Sequence, residues 1–251
     1  MSNKISFHRM AVIAIALNCV PIGAYAEEGA DAKKPLQDQG AASSAPVVDK
    51  IDVKPGDRWS YQVVDDVTGE TKATTVHTLT EIRDKSYSVQ SAFTAFGQSV
   101  ATTSLQVFDE NWNLLEDQLW TRKPADPVTG IRLPLKVGAQ WKTHFTSIRK
   151  TPPETQFQTD ANIRVVGYEP VMLKFNKTYD AFKLEINEAL TNSAASSTSA
   201  PPSVVTVKVT MWYAPSVNRY VKRITETRIN DRLQSRSIEL LTSYARRHDD
   251  E

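Results

Sequence analysis

A chain of 251 residues with a formal net charge of +1 and 40% hydrophobic residues can build one substantial core, and it carries no charge excess that would draw nucleic acid or another polyanion. Its one cysteine, Cys19, excludes an internal disulfide, so stability must come from ordinary packing.

The chain opens with Lys4 and Arg9, then an apolar run from Met10 to Val20 broken only by Asn18. That run is too short to span a bilayer. Pro21 and Gly23 follow, and then Ala24-Tyr25-Ala26, the small-x-small pattern of a cleavage site. We read residues 1–26 as a signal peptide, Glu27 as the mature N-terminus and the periplasm as the destination. Losing Lys4 and Arg9 takes the net charge to about −1. Cys19 reads as one more apolar residue of the signal, because Asn18 fits poorly before a lipidated cysteine. No later run is long enough for a transmembrane helix.

Residues 27–50 are rich in Ala, Ser, Gln, Asp and Lys without periodicity, which predicts a disordered leader. A single β domain is expected over 51–246, followed by a charged tail at 247–251. Alternating and β-branched runs predict strands at Arg58 to Val64, Thr71 to Ile82, Tyr87 to Phe96, Thr102 to Phe108 and Leu114 to Trp120. Further strands are expected at Trp141 to Ile148, Asn162 to Tyr168, Tyr179 to Leu190 and Val204 to Tyr213. The low-complexity stretch 191–203 reads as an exposed loop. The chain closes on a hairpin, Arg219 to Ile229 and Arg232 to Tyr244, turning at Asn230-Asp231, two residues that tolerate positive φ. Residues 238–247 also admit a helix, but pairing with the preceding strand is simpler. This spacing predicts an all-β fold, a curved antiparallel sheet arranged as a half-barrel or sandwich.

An approximate repeat runs through the chain. Val53-Lys-Pro-Gly56-Asp-Arg-Trp59 recurs as Leu135-Lys-Val-Gly138-Ala-Gln-Trp141, and the segment around Phe108 and Trp112 echoes that around Trp212 and Tyr220. Two similar β-units, 51–133 and 134–246, are one reading, and common strand-and-turn grammar is the other.

The second half adds Gly167-Tyr168-Glu169, Thr178-Tyr179-Asp180-Ala181-Phe182-Lys183, and Trp212-Tyr213-Ala214-Pro215 before Val221-Lys222. With Gly138 to Trp141, this set resembles the strand motifs of uncharacterised bacterial secreted proteins, over roughly half the mature chain. The resemblance implies an exported all-β protein and is silent on activity. Its strand pattern is similar, more distantly, to envelope lipoprotein carriers, but this chain lacks the helical segments that plug their cavity.

Sites of chemistry are sparse. There is no Gly-x-Ser-x-Gly elbow and no phosphate-binding glycine loop, and cleavage at Ala26 removes the one thiol. His77, His144 and His248 are widely spaced, so no metal or other cofactor is expected. Asp65-Asp66, Asp109-Glu110 and Glu116-Asp117 are adjacent carboxylates, but neighbours on a strand face opposite ways and the first two pairs fall in turns. Trp59, Trp141, Trp212 and Tyr213 are candidates to line a groove for an apolar chain or a sugar ring, against a plain packing role. Arg219, Arg223, Arg228, Arg232 and Arg236 form a candidate basic stripe for anionic lipid or an acidic partner, against an ordinary solvated face. Together these favour a non-enzymatic binding or scaffolding module for a lipid, glycan or envelope protein. The alternatives are a hydrolase of cell-wall or polysaccharide substrates, and an assembly partner of an outer-membrane or secretion complex.

Overall fold

The computed structural model describes residues 45–66, 68–123, 130–152, 155–192 and 204–246. The signal peptide, the leader as far as residue 44, most of the 191–203 loop and the tail lie outside the described residues. The last part of the leader segment is described: Val48 pairs with Leu135 in an isolated antiparallel bridge.

Twelve antiparallel strands follow one another as a meander and close into a ring. They are β1 (Arg58–Val64), β2 (Thr71–Arg83), β3 (Ser86–Ala95), β4 (Thr102–Asp109), β5 (Leu114–Glu116), β6 (Trp120–Lys123), β7 (Gln140–Arg149), β8 (Gln156–Met172), β9 (Thr178–Asn192), β10 (Val205–Ala214), β11 (Arg219–Ile229) and β12 (Arg232–Ala245). The all-β antiparallel reading is thus correct, and the sheet is closed rather than open. β1 pairs with β12, from Arg58 opposite Ala245 to Val64 opposite Ile238, which removes both sheet edges. The ring is irregular at β5 and β6, which share only the Glu116–Thr121 pair.

Two local differences from the sequence expectation have plain causes. Leu114 to Trp120 is two short strands rather than one, because Asp117 Oδ1 accepts hydrogen bonds from the backbone N–H groups of Leu119 and Trp120, both at 2.8 Å. An Asp side chain that captures the following amides makes a turn. Residues 238–245 are strand throughout, paired to both β1 and β11.

The two Gly-x-x-Trp segments have the same backbone construction. Gly56 and Gly138 adopt φ of 97° and 85°, a region that only glycine enters without strain. Gly56 N–H donates to Leu79 O (2.6 Å) and Leu79 N–H returns to Asp57 O (2.9 Å). Gly138 N–H donates to Val165 O (2.9 Å) and Val165 N–H returns to Ala139 O (2.9 Å). The β4–β5 and β10–β11 corners also match. Trp112 N–H bonds to Asp109 O and Asn218 N–H to Pro215 O, each at 3.2 Å, with φ of 60° and 53° at Trp112 and Asn218.

Each Gly-x-x-Trp segment delivers its tryptophan to a separate apolar cluster. Trp59 packs with Tyr61, Leu79, Val89, Tyr220 and Leu241, and Trp141 packs with Ile163, Val165, Phe182, Leu184 and Tyr213. Ile51, Trp112 and Met211 touch both clusters. Alternation along each strand turns these residues inward and leaves polar neighbours outside.

In an antiparallel meander, alternate connections lie at opposite ends. The end that carries residues 45–57, 110–113, 130–139 and 215–218 is cross-linked by polar contacts. Asn218 Nδ2 donates to Asp52 O (2.7 Å), and Ile131 N–H donates to Asn111 O (2.9 Å). Gly130 N–H donates to Asn113 Oδ1, and Asn113 in turn donates to Asp109 Oδ2 (2.7 Å). A Cβ on Gly130 would stand 2.5 Å from Trp112 O, so only glycine fits there. Gly167, with nothing within 4 Å of an added Cβ, is a natural control. Gly130→Ala is expected to cost roughly 1–3 kcal/mol in urea unfolding, and Gly167→Ala to stay within about 0.5 kcal/mol. Equal midpoints for the two variants would show that the packing of Gly130 against Trp112 is not tight.

Candidate functional site

The sequence candidates fall into several places. Trp59 is fully buried on β1, and its Nε1–H donates to Val217 O (2.8 Å). Trp141 and Tyr213 are buried in the second cluster, apart from Trp59. Trp212 lies beneath two ammonium groups, Lys183 Nζ at 5.4 Å and Lys222 Nζ at 4.8 Å from its ring, and its Nε1–H donates to Glu169 Oε1 (2.7 Å). The four aromatics therefore do not line one surface.

The five arginines divide as well. Arg228 pairs with Glu226 (2.7 Å), Arg236 with Asp66 (3.1 Å), and Arg232 is exposed near the final hairpin turn. Arg219 and Arg223 are instead drawn into the interior: Arg219 is only 5% exposed. The structure thus brings together members of two candidate sets, Trp59 and Arg219.

Arg219 stands in a cage of rings. Its guanidinium carbon lies 4.3 Å from the Trp112 centroid, 5.2 Å from Trp59, 5.6 Å from Phe108 and 5.8 Å from Tyr220. The rings brace one another, with Trp59 edge-on to Trp112 at 5.7 Å and Tyr87 and Phe108 edge-on to Trp112 at 5.1 and 5.4 Å. Trp112 Nε1–H is held by Asn218 O (2.8 Å), which fixes the ring nearest the cation.

Next to the cage lies a polar row from six strands, β11, β12 and β1 to β4. Arg223 Nη2 meets Glu239 Oε2 at 2.6 Å, and Tyr220 Oη donates to the same oxygen (3.0 Å). Tyr61 stacks on Tyr220 at 4.6 Å and donates its hydroxyl to Tyr220 O (2.8 Å). His77 sits edge-on to Tyr61, with its Nδ1 2.7 Å from Ser91 Oγ, and Ser91 donates on to Gln106 Oε1 (2.8 Å).

The electrostatics of this row are uneven. Burial opposes the Arg223 charge, but Glu239, with Tyr220 and Tyr61, more than offsets it and keeps the guanidinium charged. Burial, reinforced by the Arg219 and Arg223 charges, holds the His77 imidazole well below its ordinary range, so it is neutral near pH 7. Glu239 is shared between Arg223 and Tyr220, and no carboxylate among the described residues pairs with Arg219. Arg219 Nε and Nη1 are buried with no hydrogen-bond partner among the described residues, and so is Arg223 Nε. A desolvated cation–π contact returns roughly 2 kcal/mol. Each unmet buried N–H costs roughly 1–3 kcal/mol, and a buried ion without its partner costs several more. Packing by itself is a poor reason to keep an arginine there.

A second charged group inside the ring, Arg122 with Glu188, lies near Phe145, whose ring is 4.8 Å from the Arg122 carbon. Burial pushes the Glu188 carboxyl up, and Arg122 partly offsets this. The adjacent carboxylates serve turns: Asp65 Oδ1 accepts Thr68 N–H, and Asp109 Oδ1 accepts Asn111 and Asn113 N–H. His144 is on the surface beside Asp160 (2.9 Å).

Sequence reasoning passed over Trp112, the ring nearest Arg219, and Glu239 and Tyr220. A tryptophan beside an Asn in a tight corner is a signal that was available. Its meeting with residues 106 positions away was not.

The chain matches no family model and no curated protein. Two crystal structures are similar to it at 11% identity. One is of a protein described as exported, with a YmcC-like fold, from Bacteroides fragilis, covering 79% of this chain and 100% of that one at a TM-score of 0.47. The other is of a protein described as a lipoprotein from Parabacteroides distasonis, covering 79% and 99% at a TM-score of 0.48.

The state of His77 sets the sign of a pH effect. Its folded value lies well below the ordinary 6.5, so below about pH 6.5 the unfolded chain takes up a proton that the folded protein refuses. Stability conferred by the neutral imidazole is therefore complete above that pH and falls as pH drops. Relative to His77→Asn, the wild-type protein is expected to lose up to about 1.4 kcal/mol per pH unit between roughly pH 6 and pH 5 in chemical unfolding. Parallel stability curves for the two proteins would rule out a neutral buried His77.

Proposed function

We propose that this chain is an exported, non-enzymatic binding module of the bacterial envelope, acting in the periplasm once the signal peptide is removed after Ala26. The observation that carries this reading is the interior placement of Arg219, Arg223, Glu239 and His77 inside a closed sheet. A ring built only to be stable would fill those positions with apolar side chains. The construction is rigid, with cage rings anchored by backbone hydrogen bonds from Trp59 and Trp112. A pre-set group of donors on rigid strands suits recognition, since little freedom is lost on binding. The export signal read from Lys4 to Ala26 supplies the location. The matched turns at Gly56 and Gly138, and at Trp112 and Asn218, support an origin in two similar β-units of about six strands each.

Native mass spectrometry of the protein purified gently from the periplasm of its own cells tests this directly. The expected spectrum contains a stoichiometric small molecule that leaves on denaturation. A bare protein, coupled with a reproducible crosslinked envelope partner, would replace the small-ligand reading with a scaffolding one.

A further inference from the structure

Resting on the binding reading above, we infer that the Arg219 cage is an oxyanion site, taking one carboxylate or phosphate group of a ligand. Three observations converge on it. Arg219 is nine-tenths buried or more, and its Nε and Nη1 have no acceptor among the described residues. Arg223, on the same strand, contributes a third unmet buried donor, its Nε. The charges that face this space come from β1, β2, β11 and β12: two guanidiniums, one carboxylate on Glu239, a neutral His77 and the Tyr61 and Tyr220 phenols. The fully buried Asp57 carboxylate acts on Tyr244, which stacks on Trp59, so it belongs to the same charge balance.

The donors also discriminate among anions. Glu239 is engaged by Arg223 and Tyr220, so it leaves Arg219 free rather than competing for it. The unmet Arg219 donors, Nε and Nη1, lie on different edges of the guanidinium, so each gives an oxyanion one charge-assisted hydrogen bond. The rings of Trp59, Trp112 and Phe108 cover the guanidinium and exclude water, which strengthens those bonds. Arg223, whose side chain is 30% exposed, extends the arginine pair toward solvent. The chemistry required is thus a single oxyanion group.

Thermal unfolding and tryptophan fluorescence of the whole mature protein test the site, with inorganic phosphate, laurate and glucuronate as separate probes against chloride at equal ionic strength. At about a hundredfold excess over Kd, a bound probe should raise the midpoint by roughly 5 to 10 °C. A response to laurate alone identifies an acyl carboxylate, to glucuronate alone an acidic sugar, and to phosphate a bare oxyanion. Arg219→Met fills the cage without charge, and affinity should fall at least about tenfold. If that variant does not fold, Arg219→Lys keeps a cation over Trp112 without the guanidinium donors, and the same loss is expected. No midpoint or fluorescence change with any probe overturns the inference, as does an equal change in wild type and variant. A neutral molecule found by native mass spectrometry would also overturn it, while leaving the binding reading intact. Oxyanion binding by a protein recovered bare would do the reverse.

Discussion

β1 is the strand on which the interior depends, because it holds the two halves of the meander together. Seven residues, Arg58–Val64, pair with Thr71 to Thr78 on one side and with Ile238 to Ala245 on the other. That double pairing satisfies backbone groups that would otherwise form two exposed sheet edges. It also turns Trp59, Tyr61 and Val63 to the same side as the buried residues of β2 and β12. Once the ring is closed, most inward positions are removed from water, and a polar group buried there must find a partner or bear the loss.

Most interior polar groups do find one. Tyr61, Tyr220, His77 and Ser91 are joined by hydrogen bonds of 2.7 to 3.0 Å, and Glu239 is satisfied by Arg223 and Tyr220. Arg219 differs in kind. Its neighbours are ring faces, which attract a cation but accept no conventional hydrogen bond. Its Nε and Nη1 are left without an acceptor among the described residues. That contrast, inside one connected group of side chains, separates recognition from packing more sharply than any single residue.

The tryptophans illustrate how one motif serves two ends. Gly56 and Gly138 make the same turn, and each sends a tryptophan to the start of a long strand. Trp141 packs in its cluster with Ile163 and Phe182, whereas Trp59 forms one wall of the arginine cage. The difference comes from what the corner opposite contributes: β11 begins with Arg219, and the matching position after Trp112 is Asn113, which binds Asp109. Two like frameworks thus diverge at a single side chain.

Strand existence and order were legible in the sequence because alternation with a period of two, punctuated by Asp, Asn and Gly, is a local signal. It located nine of the twelve strands to within two residues at each end, caught only the middle of the 17-residue β8, and missed the β5–β6 turn because Asp117 acts through its side chain rather than by composition. The same alternation cannot say whether the first and last strands meet, since pairing between residues 58 and 245 depends on accumulated twist and curvature. Nor could it assign the arginines. A β-bulge opposite Trp212 and Tyr213 shifts the register of β11, so parity counted along the chain misjudges which side chains face inward. The sequence alone determined an all-β chain with a leading export pattern and paired Gly-x-x-Trp starts. Only the tertiary structure decided that the sheet closes, that Trp112 reaches Arg219, and that this arginine is left with donors to spare, because those are contacts between distant residues made by curvature rather than by local pattern.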